Sequence, residues 1–320
     1  MDGAQWHKLL VNDREGYIQA RKEHFEESST RPKINGFRFQ GTDLSGLDLS
    51  MMDLSSNEFF GCNLAGADLS DCLLRQSRFR SCSLVGARLC HSNLSKGEGV
   101  NCDFSGADLS GASLLLQKLY GSDFSRAILN KADFSAAEAS GVPFREITAE
   151  RCFWTKADLR NCDFGGAKMP RNVLRLAALS QANLEKVDLR EADLTYCVLF
   201  GTNLAGADLT GADLSDCFFQ ETNLAGANLT RAKMLTVDLE AADFSGALMK
   251  DVLTGEVLTT EDRRQHEAHK EAAFHKFELA GLRENAQSGS GNGDPPASTI
   301  HPLAADLSEK NANGLPGGGS

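Results

Sequence analysis

The chain has 320 residues, of which 41% are hydrophobic and 24% are charged, a balance typical of a globular protein. With 30 Gly and 7 Pro, the composition excludes a collagen-like chain. The net charge of −11 argues against a surface built to bind nucleic-acid phosphates, and no apolar run is long enough to span a membrane. We therefore expect neither a nucleic-acid partner nor a membrane span.

Residues 1–36 form the first segment of the chain. Trp6, Leu10 and Tyr17 recur at helical spacing, which predicts a helix over residues 5–25 followed by a linker. If the segment that follows is a stack of β-coils, its first coil has an unpaired edge that needs cover. We expect the helix to cap that edge, with partner binding as the alternative.

A five-residue repeat runs from Phe39 to Met249. Its central residue, position i, occurs 43 times without a change of phase, and 40 of these residues are Leu, Phe, Met or Trp. Position i−2 is small in 36 pentads, and position i−1 is Asp or Asn in 22. Neither the 3.6-residue period of a helix nor the 2-residue period of a strand matches this spacing. The pattern predicts short extended pieces joined by tight turns, with one large and one small side chain pointing inward.

The Asp and Asn residues at position i−1 suit these turns, because their side chains accept hydrogen bonds from nearby backbone N–H groups. Coils of this kind can stack, so that hydrogen-bonded ladders join each coil to the next. The sequence alone therefore indicates a solenoid.

The segments AGADLT (205–210) and AGANLT (225–230) resemble the pentapeptide-repeat proteins. The resemblance implies an all-β solenoid, a right-handed four-sided β-helix of about eleven coils over residues 37–253, with four pentads in each coil. Residues 20 apart would then stack. The expected core includes two phenylalanine ladders and the central residues of the last coils: Phe39, Phe59, Phe79, Phe104, Phe124, Phe144, Phe164, Leu204, Leu224 and Phe244.

Two stretches depart from the repeat pattern. Residues 138–178 contain Ala139 and Ala149 at the central position, together with Pro143, and they are interpreted either as a regular stretch of coil or as a kink or loop that a partner recognises. The second stretch, residues 95–101, places Gly97 and Gly99 at inward positions.

Eight of the 9 cysteines fall at position i−2, where a free thiol acts as a small hydrophobic side chain. Their spacing is unlike that of zinc sites, and free inward thiols favour a reducing compartment. We find no nucleophile motif and no phosphate-binding loop, and therefore expect no enzymatic activity, cofactor or metal.

The repeat ends after Met249. Residues 254–285 are predicted to form a C-terminal helix, because Thr260 is a candidate N-cap and Phe274 and Phe277 recur at helical spacing. We expect this helix to cap the other end of the solenoid. Residues 286–320 are rich in Gly, Ser and Pro and are expected to be a disordered tail. Topoisomerase-protecting members of the family dimerise through this end, so the resemblance implies a homodimer there.

The expected function is that of a non-catalytic scaffold that binds another protein through the outer faces of the β-helix. A locally basic stretch supplies the candidate partner-binding residues Arg145, Arg151, Lys156, Arg171 and Arg175. The resemblance implies two alternatives, a DNA-mimicking binder of DNA gyrase or topoisomerase IV that protects against quinolones or toxins, and a secreted bacterial effector. For the scaffold, it implies a bacterial, cytoplasmic protein.

Overall fold

The computed structural model describes residues 1–28 and 30–255, and the helix and tail predicted beyond residue 255 lie outside these residues. The N-terminal segment contains two helices, α1 (Gly3–Asn12) and α2 (Arg14–Glu27). The prediction of one continuous helix is wrong at Asp13. The Asp13 side chain accepts a hydrogen bond from the Gly16 N–H at 2.8 Å, so this residue ends α1 and caps α2.

Both helices contact the first coils through buried side chains. Trp6 packs edge-on against Tyr17, with 5.8 Å between ring centroids. The Tyr17 hydroxyl donates to the Asp48 carbonyl at 2.7 Å, and the Arg21 guanidinium pairs with the Asp48 carboxylate at 2.8 Å. Burial raises the pKa of Tyr17 far above its usual value, so this hydroxyl remains a donor. The helices are thus held to the solenoid by both apolar packing and directed hydrogen bonds.

The repeat folds as a β-solenoid of about 11 turns. Each coil has four sides, numbered here 1 to 4 after the central residues Phe39, Leu44, Leu49 and Leu54 of the first coil. Residues 20 apart pair in parallel register, as Phe39 does with Phe59. The Leu44 N–H donates to a carbonyl 19 residues ahead, 2.7 Å away. Ladders of this kind satisfy the backbone on every side.

The extended pieces are short. Side 1 contains the four longest strands, which form one parallel sheet, and two further pairs close the C-terminal coils. In chain order the strands are β1 (Arg38–Gln40), β2 (Glu58–Phe60), β3 (Arg78–Arg80), β4 (Glu98–Val100), β5 (Thr222–Asn223), β6 (Lys233–Met234), β7 (Ala242–Asp243) and β8 (Leu253–Thr254), with a 3₁₀ turn at Leu239–Ala241.

Positions i+1 and i+2 form the four corners of each coil. Position i+2 has a positive φ, as at Met51 (59°), and the following N–H bonds back to the central carbonyl, as from Ala67 to Leu64 at 3.0 Å. The Asp43 carboxylate accepts from the Ser45 N–H at 3.1 Å. The same bond recurs around the solenoid, which confirms the predicted role of Asp and Asn at position i−1.

The interior is filled by stacked side chains. The rings of Phe39 and Phe59 stack at 4.8 Å, and those of Phe104 and Phe124 stack at 4.6 Å. All the expected core residues are buried except Phe244, which is half-buried in the last coil that the structure describes. A third stack, which the sequence analysis did not predict, pairs Phe134 with Trp154 at 4.3 Å on side 4.

Residues 138–178 are regular coil, and the alternative of a kink or loop is wrong. The ladder continues through them, for example from the Asp158 N–H to the Ala137 carbonyl at 2.9 Å. One coil places Ala139 and Ala149 on opposite sides and the bulky Phe144 and Trp154 on the other two. The ring centroids of Phe144 and Trp154 are 5.3 Å apart. The small residues therefore leave the room that the aromatic pair fills.

Candidate protein-binding surface

The inward cysteines contribute to packing. All nine cysteines are free, and the eight at position i−2 are buried. The Cys72 thiol donates to the Leu49 carbonyl at 2.9 Å, and burial raises its pKa to about 12. The Cys152 thiol is held in the same way, and burial raises its pKa to about 12 as well. Thiols in this state are poor nucleophiles, because the thiolate is the reactive form.

Within residues 1–28 and 30–255, no group of three or more His, Cys, Asp or Glu side chains could hold a metal ion. In the same part of the chain, no helix is long and apolar enough to cross a membrane. Because the coil interior is occupied by packed side chains, the outward-facing residues carry the chemistry that this solenoid presents to other molecules.

The five cations predicted to bind a partner do not form one surface. Arg145 lies at the corner between sides 2 and 3, whereas Arg151 and Arg171 lie at the corner between sides 3 and 4. Lys156 and Arg175 lie together at the corner between sides 4 and 1, where the Lys156 N–H donates to the Arg175 carbonyl at 3.0 Å. Nearness along the chain was misleading, because each coil turns neighbouring pentads toward different sides.

Three of these cations are neutralised locally. Arg145 pairs with Asp163 at 2.5 Å. Arg171 pairs with Glu191 at 2.9 Å and with Glu150 at 3.3 Å, and these carboxylates raise the pKa of its guanidinium. Arg151 also approaches Glu150, at 3.7 Å. Exposed pairs of this kind add little stability, but they cancel the positive charge that a partner would meet.

Lys156 and Arg175 have no ion-pair partner within residues 1–28 and 30–255. The Arg175 guanidinium instead lies 5.1 Å from the centroid of the Tyr196 ring. Exposed apolar side chains lie along the same corner. Phe153, on side 4 just before the corner, is 46% exposed, and Leu116 and Tyr196 at the corner are 48% and 43% exposed. We call this surface the corner patch, and it comprises Leu116, Phe153, Lys156, Arg175, Leu176 and Tyr196.

The exposed apolar residues are concentrated at this corner. Between residues 100 and 240, five large apolar residues are 39–48% exposed. Four of them lie on this corner or directly before it, namely Leu116, Phe153, Tyr196 and Leu235, and the fifth is Ile128 on side 3. This grouping is not among the sequence predictions. The grouping becomes visible in the sequence only when outward residues 20 positions apart, which lie on the same side of successive coils, are compared with one another.

Side 1 has a different electrostatic character. Its outward positions alternate in sign over successive coils, in the order Arg38, Glu58, Arg78, Glu98, Lys118 and Glu138. Arg78 pairs with Glu58 at 3.1 Å and approaches Glu98 at 3.7 Å. A surface that imitates DNA requires uniform negative charge, and this ladder of alternating charges does not provide it.

The family model of pentapeptide repeats matches residues 58–95, 100–135, 173–211 and 207–246, in 8 copies. The chain is a pentapeptide-repeat protein. Among solved structures it is similar to HetL, a pentapeptide-repeat protein involved in heterocyst differentiation regulation from the cyanobacterium Nostoc sp. strain PCC 7120. The identity is 27% over 74% of this chain and 93% of HetL, with a TM-score of 0.34.

It is also similar to full-length QnrB1, a plasmid-mediated fluoroquinolone resistance protein, at 24% identity over 60% of this chain and 97% of QnrB1, with a TM-score of 0.45. No curated protein matches the sequence significantly.

The match to pentapeptide repeats is interrupted between residues 136 and 172, although the coils there are regular. Phe153 and Lys156 of the corner patch lie in this interval. In this pentapeptide-repeat protein, the stretch that departs most from the repeat pattern therefore keeps the fold and contributes to the corner patch.

Proposed function

We propose that this protein is a non-catalytic scaffold that binds a protein partner through the corner patch. The observation that supports the proposal is the coincidence, at one corner, of exposed apolar side chains with two cations that lack an ion-pair partner within residues 1–28 and 30–255. Exposed apolar groups next to Arg and Tyr are typical of the central residues of protein interfaces. A rigid ladder-bonded coil holds them in place without cost in backbone entropy on binding.

The proposal can be tested by capture from the source cell with the full-length protein as bait. The test variant is Lys156→Glu combined with Arg175→Glu. The control is Arg145→Glu combined with Arg171→Glu, which makes the same change of charge at two other corners, also at positions i+1 and i+2. We expect the test variant to lose a stoichiometric partner that the control retains. Equal recovery by both variants would contradict binding through the corner patch.

A further inference from the structure

The row of position i+2 residues that runs through the corner patch and on to Asp216 is complementary to itself. Four consecutive coils place Lys156, Leu176, Tyr196 and Asp216 at position i+2 of this corner, 20 residues apart. Their φ values are 61°, 62°, 62° and 59°, so the four side chains leave equivalent backbone positions. Ladder hydrogen bonds join the coils here, as from the Tyr196 N–H to the Ser215 carbonyl at 3.1 Å. Along the solenoid the row therefore reads cation, apolar, apolar, anion.

From this row we infer that the corner patch binds a second copy of the same chain, side by side and antiparallel. This inference rests on the proposed function and names the partner. A two-fold axis that crosses the row between Leu176 and Tyr196 makes the row face itself in reverse order. Lys156 then lies opposite Asp216 of the second copy, and Leu176 lies opposite Tyr196 of the second copy. The symmetry forms each contact twice, so every charge in the row meets its opposite.

The corner between sides 3 and 4 shows why this arrangement is specific. Its row over four consecutive coils is Lys131, Arg151, Arg171 and Glu191. The same antiparallel arrangement would place Arg151 opposite Arg171 of the second copy, with no apolar pair at the centre of the row. Two like charges that face each other at an interface are unfavourable. Arg171 is already engaged by Glu191 of its own chain at 2.9 Å.

The corner between sides 2 and 3 lacks the apolar pair. Its row contains Glu146, Gly166, Lys186 and Gly206, and Lys186 is already paired with Glu185 at 2.7 Å. The row of the corner patch therefore combines opposite charges at its two ends with an apolar pair at its centre. Neither of the other two rows has both features.

Corner-to-corner contact buries a small area, so the dimer is of the weak, reversible class. Its affinity depends on two symmetric ion pairs and an aromatic–aliphatic centre, and the net charge of −11 on each copy opposes it at low ionic strength. The interface is therefore studied at about 0.15 M salt, where long-range repulsion is screened.

The experiment is sedimentation velocity of the full-length protein over a range of concentrations. We compare the unmodified chain with Lys156→Asp, with Asp216→Lys, and with the variant that carries both changes. Each single change puts like charges opposite each other twice, and this repulsion at the interface weakens self-association about ten-fold or more. The double change restores opposite charges and returns the affinity to within about three-fold of the original. Arg171→Asp, at another corner, leaves self-association unchanged.

Circular dichroism of each variant checks that the coil is intact. A further variant, Tyr196→Ser, changes no charge but removes the aromatic ring at the centre of the row, and we expect it to weaken self-association as well. A protein that is monomeric at every concentration overturns the inference, as does a dimer that the single changes do not weaken or that the double change does not restore. A dimer through the C-terminal end, as the family resemblance implies, gives the second of these results. If the chain is monomeric but the corner-patch variant still loses a captured partner, the proposed function stands and only this inference fails.

Discussion

Replacing Phe124 with alanine tests the stacked core directly. Phe124 is fully buried, and its ring stacks at 4.6 Å on Phe104 and at 5.2 Å on Phe144, with an edge contact at 5.9 Å to Phe134. Truncating a buried phenylalanine costs about 3–5 kcal/mol. We expect a value near the top of that range, about 4–5 kcal/mol, because the hydrogen-bonded ladders fix the spacing of the coils and prevent them from closing the cavity.

The measurement is urea unfolding at equilibrium, followed by circular dichroism and by tryptophan fluorescence, whose coincidence tests the two-state assumption. The matched control is Phe153→Ala, which removes the same atoms from a side chain that is 46% exposed, and which we expect to cost less than about 1 kcal/mol. If the two variants differ by less than about 1.5 kcal/mol, the stacked rings are not what stabilises the solenoid.

Two further predictions concern the inward thiols and the glycines. Burial raises the pKa of Cys72 and Cys152 to about 12 from 9.0, so the folded state keeps these thiols neutral while the unfolded chain ionises. The free energy of unfolding should therefore fall by roughly 1.3 kcal/mol per thiol between about pH 8 and pH 10. Replacing both residues with alanine should reduce this fall by roughly 2.6 kcal/mol, while other buried thiols such as Cys162 still contribute to it. An unchanged fall between the two pH values, measured by urea unfolding, would contradict the reasoning. Gly97→Ala should destabilise the coil by about 2–3 kcal/mol, because an added Cβ would lie 2.3 Å from the Ser77 carbonyl oxygen. The control is Gly66→Ala, at φ +64° with no atom within 4 Å of the added Cβ, which should cost only about 1 kcal/mol. Thermal or urea unfolding measures both values.

The pentad pattern predicted the core because position within the repeat decides the direction of each side chain. The place of Phe39 and Phe104 in the repeat assigns them to the interior, and the cysteines are recognised as packing residues for the same reason. The assignment of the two phenylalanines to ladders also needs the four pentads per coil that the family resemblance implies. The break at Asp13 was missed, because a helix pattern shows which residues face inward but does not show that one aspartate both ends a helix and begins the next. The sequence does not decide whether residues 138–178 are regular coil, because Ala139 and Ala149 look like defects until Phe144 and Trp154 are placed in the same coil.

The sequence alone determined the division between buried and exposed positions, because a strict five-residue repeat imposes one local geometry from Phe39 to Met249. The tertiary structure decided which exposed residues meet and which charges remain. It separated Arg145 from Arg171, paired each with a carboxylate, and gathered Lys156, Arg175 and Tyr196 at one corner. The reason is physical: burial depends on a residue's own place in the repeat, whereas contacts across the surface depend on how many pentads close a coil and on how far each side chain reaches.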